Sequence, residues 1–82
     1  MAVVESPVYR EIYYFLASAP SREQILAYRP SAITQERVDH LLAASKDGSL
    51  SPEEESELDE FEQVEHFVRM LKLHTRQLQQ KA

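Results

Sequence analysis

SPEEESELDEFEQVEHFVRMLKLHTRQLQQ, residues 51–80, is an unbroken run of helix-favouring residues, and its reading decides the fold. Ser51 suits the N-cap and Pro52 the first helical position. Glu54 stands third, where its side chain can bond back to the cap N–H in a capping box. At about 1.5 Å per residue, such a helix is roughly 43 Å long. A compact chain of 82 residues has a radius of gyration of only about 12 Å. The helix must therefore lie across every other element or project towards a partner. That geometry points to an interaction protein rather than a small enzyme.

Along this helix, Leu58, Phe61, Val64, Val68, Leu71, Thr75 and Leu78 form an apolar stripe. From Phe61 onward it follows a heptad spacing of the coiled-coil kind. A second stripe, Phe67, Met70 and Leu73, widens the apolar arc. One side can pack within the chain, which leaves the other for something else. The charges are also segregated. Nine of the fourteen acids fall between Asp47 and Glu65, where no base occurs. From His66 onward there is no acid, while Arg69, Lys72, Arg76 and Lys81 are basic. This gradient complements the macrodipole of a single helix. Its acidic half also suits a basic partner surface.

The remaining chain reads as three shorter helices. Residues 1–5 are expected to be a flexible tail, and Ser6-Pro7 repeats the Ser-Pro start, opening a helix over residues 7–18 that Pro20 ends. Val8, Ile12, Phe15, Leu16 and Ala19 share one face there, with Tyr9 and Tyr13 beside it. Ser21 and Gln24 have capping-box spacing ahead of a short helix over 22–28, which buries Ile25 and Leu26 before Pro30. Ser31 or Thr34 caps a third helix over 32–46, with Val38, Leu41 and Leu42 as its stripe. Gly48 is the natural left-handed residue after it. The expected fold is one all-α domain, residues 1–82, a small irregular bundle of three to four helices with a long C-terminal helix over 52–80.

Composition narrows the function. A hydrophobic content of 43% suits a folded domain, and one glycine argues against an all-β chain. The absence of cysteine removes disulfides, thiolate metal sites and thiol nucleophiles. With no secretory segment and no apolar run beyond Ile12–Ala17, the expectation is a cytoplasmic protein away from membranes. The stretch Asp47–Glu54 resembles half of an EF-hand loop, but Ala43 would occupy the first ligand position and cannot coordinate calcium. Glu62, His66, Met70 and His74 share a helix face. The two histidines there are about 12 Å apart along the axis, too far to chelate one ion within a chain. His40 lies four residues after Glu36 and suits an ordinary helix pair. No nucleophile sits beside a base, and no glycine loop cradles phosphate. The reading is a non-enzyme with no metal and no cofactor. A pI near 5.1 opposes nucleic-acid binding, for which Lys72–Lys81 is the one basic run. The crowded Tyr9, Tyr13, Tyr14 and Phe15 cannot all be buried, so an exposed remainder can anchor an interface.

Three stretches in this order carry a resemblance. Ser21–Ser31, SREQILAYRPS, precedes Leu50–Leu58, LSPEEESEL, and Val64–Lys72, VEHFVRMLK. Together they resemble a group of small helical bacterial proteins, common in cyanobacteria, that are encoded beside toxin-type nucleases and treated as antitoxins. The similarity covers most of the chain. It implies direct binding and neutralisation of a partner nuclease, and it transfers no catalytic residue. No separate DNA-binding module accompanies it, which speaks against operator binding. The expected partner interface combines apolar anchors Val64, Phe67, Val68, Met70, Leu71 and Leu73 with acids Glu57, Asp59, Glu60 and Glu62. The alternative is a structural adaptor that forms a homodimer by pairing its long helices through the heptad seam.

Overall fold

A computed structural model describes residues 7–81 as four α-helices: α1 Pro7–Ala17, α2 Arg22–Leu26, α3 Ala32–Lys46 and α4 Pro52–Lys81. No strand occurs among the described residues, so the chain is an all-α bundle with a long C-terminal helix. The expected tail at residues 1–5 lies outside the described residues.

Local capping sets the helix starts. At α4, the Ser51 hydroxyl accepts from the Glu54 N–H at 3.1 Å and Glu54 Oε1 accepts from the Ser51 N–H at 3.0 Å. The same reciprocal pair joins Ser21 and Gln24 at α2. Ser31, rather than Thr34, caps α3. These side chains satisfy N–H groups that the first helical turn leaves unpaired. The ends of two helices differ from expectation. α1 closes at Ala17, with Ser18 in a turn, and α2 closes at Leu26 with Ala27 as its cap. Gly48 has the anticipated positive φ, 70°, but Ala19 also lies in the left-handed region, at φ 55°. Sequence rules reserve that region for glycine because a Cβ crowds the following carbonyl there.

α4 is the spine. Each of α1, α2 and α3 packs on it, while contacts among the three are sparse. Thirty residues make it about 45 Å long, matching the 48 Å long dimension of the molecule. The radius of gyration is 14.8 Å, larger than a compact chain of this size would have. Two apolar centres result. Val8 and Ile12 of α1 meet Val64 of α4, with Tyr9, Phe15, Leu16, Tyr28, Phe61 and Val68 around them. Nearer the start of α4, Val38, Leu41 and Leu58 are buried. Leu42, expected on the inner stripe of α3, is instead exposed, because the buried face of this helix is narrow and centres on Val38 and Leu41. Ile25 and Leu26, expected to be buried, are only half-buried, because α2 is a single short turn with both flanks open.

Polar links fix the short helices. On α1, Glu11 Oε1 accepts from the Ser31 N–H at 2.8 Å and Oε2 accepts from the Thr34 hydroxyl. A carboxylate thus sits at the N-terminus of α3, where the helix dipole favours it. The Phe15 and Tyr28 rings lie 4.6 Å apart, and Lys72 Nζ donates to the Tyr28 carbonyl at 2.9 Å. Burial, reinforced by the nearby Glu11 charge, raises the Tyr28 phenol above its ordinary pKa.

Candidate partner interface

The heptad seam of α4 faces inward. Val64 and Thr75 are buried, and Phe61, Val68 and Leu71 are half-buried against the other helices. The Thr75 hydroxyl donates to the Leu71 carbonyl four residues back, so it is satisfied without a partner. Only Leu78 on this seam is well exposed. Pairing two α4 helices through the seam would therefore have to displace α1–α3. Val64, expected as a partner anchor, belongs instead to the intrachain core at 4% exposure, because α1 lies directly over it. Val68 and Leu71 are partly covered in the same way.

The second stripe behaves differently. Phe67 is 48% exposed, Met70 38% and Leu73 42%. These are large apolar side chains on one helix that the other described residues leave substantially exposed. On α1, Tyr13 is also half-exposed. A groove of about 270 Å³ runs between the helices, lined by Tyr9, Tyr13, Leu16, Gln63 and Phe67 among others. Its wall is ordered by the Tyr9 hydroxyl donating to Gln63 Oε1 at 2.6 Å, and by the Tyr9 and Tyr13 rings, 5.9 Å apart. The surface thus crosses from α4 onto α1. Counting aromatic residues in α1 flagged an exposed remainder, but only the packing identifies Tyr13 as the one beside Phe67.

The four acids separate into two groups. Arg37 Nε and Nη2 donate to the two oxygens of Glu57 at 2.8 and 2.9 Å, a bidentate pair joining α3 to α4. That hydrogen bond holds the Glu57 carboxyl below its ordinary value and raises Arg37 further. Glu54 lies 3.9 Å from both Arg37 and His40. Its pKa is also lowered, first by the hydrogen bond from the Ser51 backbone. His40 therefore faces Glu54 across helices instead of Glu36 within its own. Glu57 is committed inside the chain. Asp59 and Glu62 are exposed and Glu60 is half-buried, and none has an ion-pair partner among the described residues.

Among the described residues, no three His, Asp or Glu side chains converge where a metal ion could sit. No described helix is long and apolar enough to cross a membrane. The chain matches no protein-family profile, no curated protein and no solved structure.

Proposed function

We propose that this protein is a non-enzymatic binding subunit, antitoxin-like, that neutralises a nuclease-type toxin by covering the toxin's basic surface. The observation that supports the reading is the exposed apolar stripe of Phe67, Met70 and Leu73 beside Tyr13, on the same helix as Asp59, Glu60 and Glu62, acids without an ion-pair partner among the described residues. Aromatic anchors within a charged surround are the usual composition of an energetic interface centre. Acids on the same rod steer association with a cationic partner. Phe67, Met70 and Leu73 carry the apolar contact and Tyr13 extends it. Val64, Val68 and Leu71 are turned towards the rest of the chain, buried or half-buried, and so are not the main contacts.

Co-purification of the tagged chain from its native cells tests the reading. The expected result is a stoichiometric nuclease, silent in the complex and active once stripped. Phe67→Ala should weaken that complex by about tenfold or more, the loss of about 1.4 kcal/mol. Replacing Asp59, Glu60 and Glu62 by their amides should slow association and flatten its salt dependence. Unchanged affinity in both variants would rule out this surface.

The second reading, a self-associating adaptor, rests on the same exposed stripe, now pairing across a two-fold axis. Light scattering separates the two. A mass that doubles with concentration, and reverts on Phe67→Ala, favours the dimer. A strict monomer at high concentration removes it.

A further inference from the structure

A depression outside the interface lies on the opposite flank of α4, between that helix, the start of α1 and the loop joining α2 to α3. It encloses about 390 Å³, within the range of about 300–1,000 Å³ typical of small-molecule sites. Its floor is apolar, built from Val8, Phe61 and Val68. Its rim is cationic, carrying Arg29, Arg69 and Lys72.

Three cations gather at one groove in a chain of net charge −5. One acid, Glu65, shares the rim, and it accepts from Arg69 Nη2 at 2.7 Å. Neither Arg29 nor Lys72 has an acidic partner within 4 Å among the described residues. Lys72 is half-buried, and among the described residues its one hydrogen bond goes to the neutral Tyr28 carbonyl. An ammonium has three N–H donors, so two remain to turn towards the groove. The half-buried Lys72 and the exposed Arg29, neither with an acidic partner among the described residues, together with Arg69 above an apolar floor, complement a molecule with an anionic head and an apolar body. Guanidinium groups match carboxylate and phosphate geometry in particular.

We propose that this groove binds an amphipathic organic anion, with its carboxylate or phosphate head among Arg29, Arg69 and Lys72 and its apolar body on Val8, Phe61 and Val68. The site does not depend on the antitoxin-like reading, since it uses the other flank of α4.

Dodecanoate and dodecyl phosphate, each below its micelle concentration, and uncharged dodecanol, below its solubility limit, provide the test. Each is titrated into the full chain and followed by amide chemical-shift mapping. Both anions should shift Arg29, Val68, Arg69 and their neighbours, and dodecanol should bind about tenfold more weakly. The tighter of the two anions identifies the head group as carboxylate or phosphate. The double change Arg29→Glu and Arg69→Glu should weaken anion binding by about tenfold or more, whereas Arg29→Lys with Arg69→Lys should largely preserve it. Affinity of the unaltered chain should also fall as salt rises, a measurement that stands even if the charge-reversed chain folds poorly. Equal binding of dodecanol, indifference to charge reversal and to salt, or shifts confined to Tyr13 and Phe67 would each overturn the proposal.

Discussion

Ala19 and Gly48 both hold positive φ, and exchanging their residue types isolates one energy. The left-handed region costs a residue bearing a Cβ about 1–2 kcal/mol relative to glycine. Against this, glycine makes the unfolded chain more flexible, which destabilises the fold by about 0.4–1 kcal/mol relative to alanine. At Gly48, φ 70°, an added Cβ would have nothing within 4 Å, so packing contributes neither gain nor clash. Gly48→Ala should therefore cost about 0.5–1 kcal/mol net, from backbone strain alone. Ala19, at φ 55°, is exposed, so its methyl contributes little packing. Ala19→Gly should stabilise by about the same amount. For a domain of this size, about 1 kcal/mol moves the melting temperature by about 4–8 °C. The two single variants should thus shift in opposite directions by about 2–8 °C, and the double variant should melt near the original temperature because the sites are independent. Thermal melts followed by circular dichroism, with urea titrations as a check, measure all three. A destabilised Ala19→Gly, or a Gly48→Ala that melts higher, would refute the assignment of strain to these backbone positions.

Ile12→Ala should cost about 2–4 kcal/mol in urea unfolding, because Ile12 is 3% exposed and its removal leaves a cavity; a loss below 1 kcal/mol would mean that α1 is not docked on α4. Phe67→Ala should change stability by less than about 1 kcal/mol in the same assay, since half the ring is already in water, so any larger effect on partner binding belongs to the interface. Glu11→Ala removes the acceptor shared by the Ser31 N–H and the Thr34 hydroxyl and should cost about 1–2 kcal/mol, with Glu11→Asp too short to restore it. Stability should also fall in acid: Glu54 and Glu57 are held below the ordinary value of 4.5 in the folded chain, so their contribution is complete above 4.5 and is lost as pH falls below it through their lower folded values. Arg37→Gln should flatten this acid limb, as seen in melts across pH 5 to 2. At the alkaline end the raised Tyr28 phenol works oppositely, its contribution being present below pH 10 and lost above it.

How far the sequence revealed the molecule depended on the reach of each interaction. Capping at Ser21 and Ser51 is closed within three residues, so the spacing alone located both helix starts. The two apolar stripes of α4 were likewise visible, since helical periodicity places them without reference to neighbours. Which stripe would be covered was not visible. That depends on α1 reaching Val64 from more than fifty residues away, as the Tyr9–Gln63 hydrogen bond illustrates. The Arg37–Glu57 pair and the Glu11 link to Ser31 span twenty residues each. Single helices carry no mark of them, and so Glu57 read as free for a partner. Leu42 read as core because a Val-Leu-Leu pattern does not state how wide the contact will be. Ala19 gave no signal at all, because its conformation is one that alanine ordinarily avoids.

The dependence of every short helix on α4 gives the chain a timetable. During synthesis, α1, α2 and α3 emerge before the element they dock on has been made. At translation speeds of about 5–20 residues per second, the stretch from Asp47 to Lys81 takes several seconds to appear. Over that interval Val8, Ile12, Val38 and Leu41 have no apolar surface to cover them. Folding is accordingly deferred until most of α4 exists, and the exposed face that carries Phe67 arrives in the same step. A nascent fragment has neither a core nor a binding surface. Competence for a partner is acquired all at once, when α4 has been made.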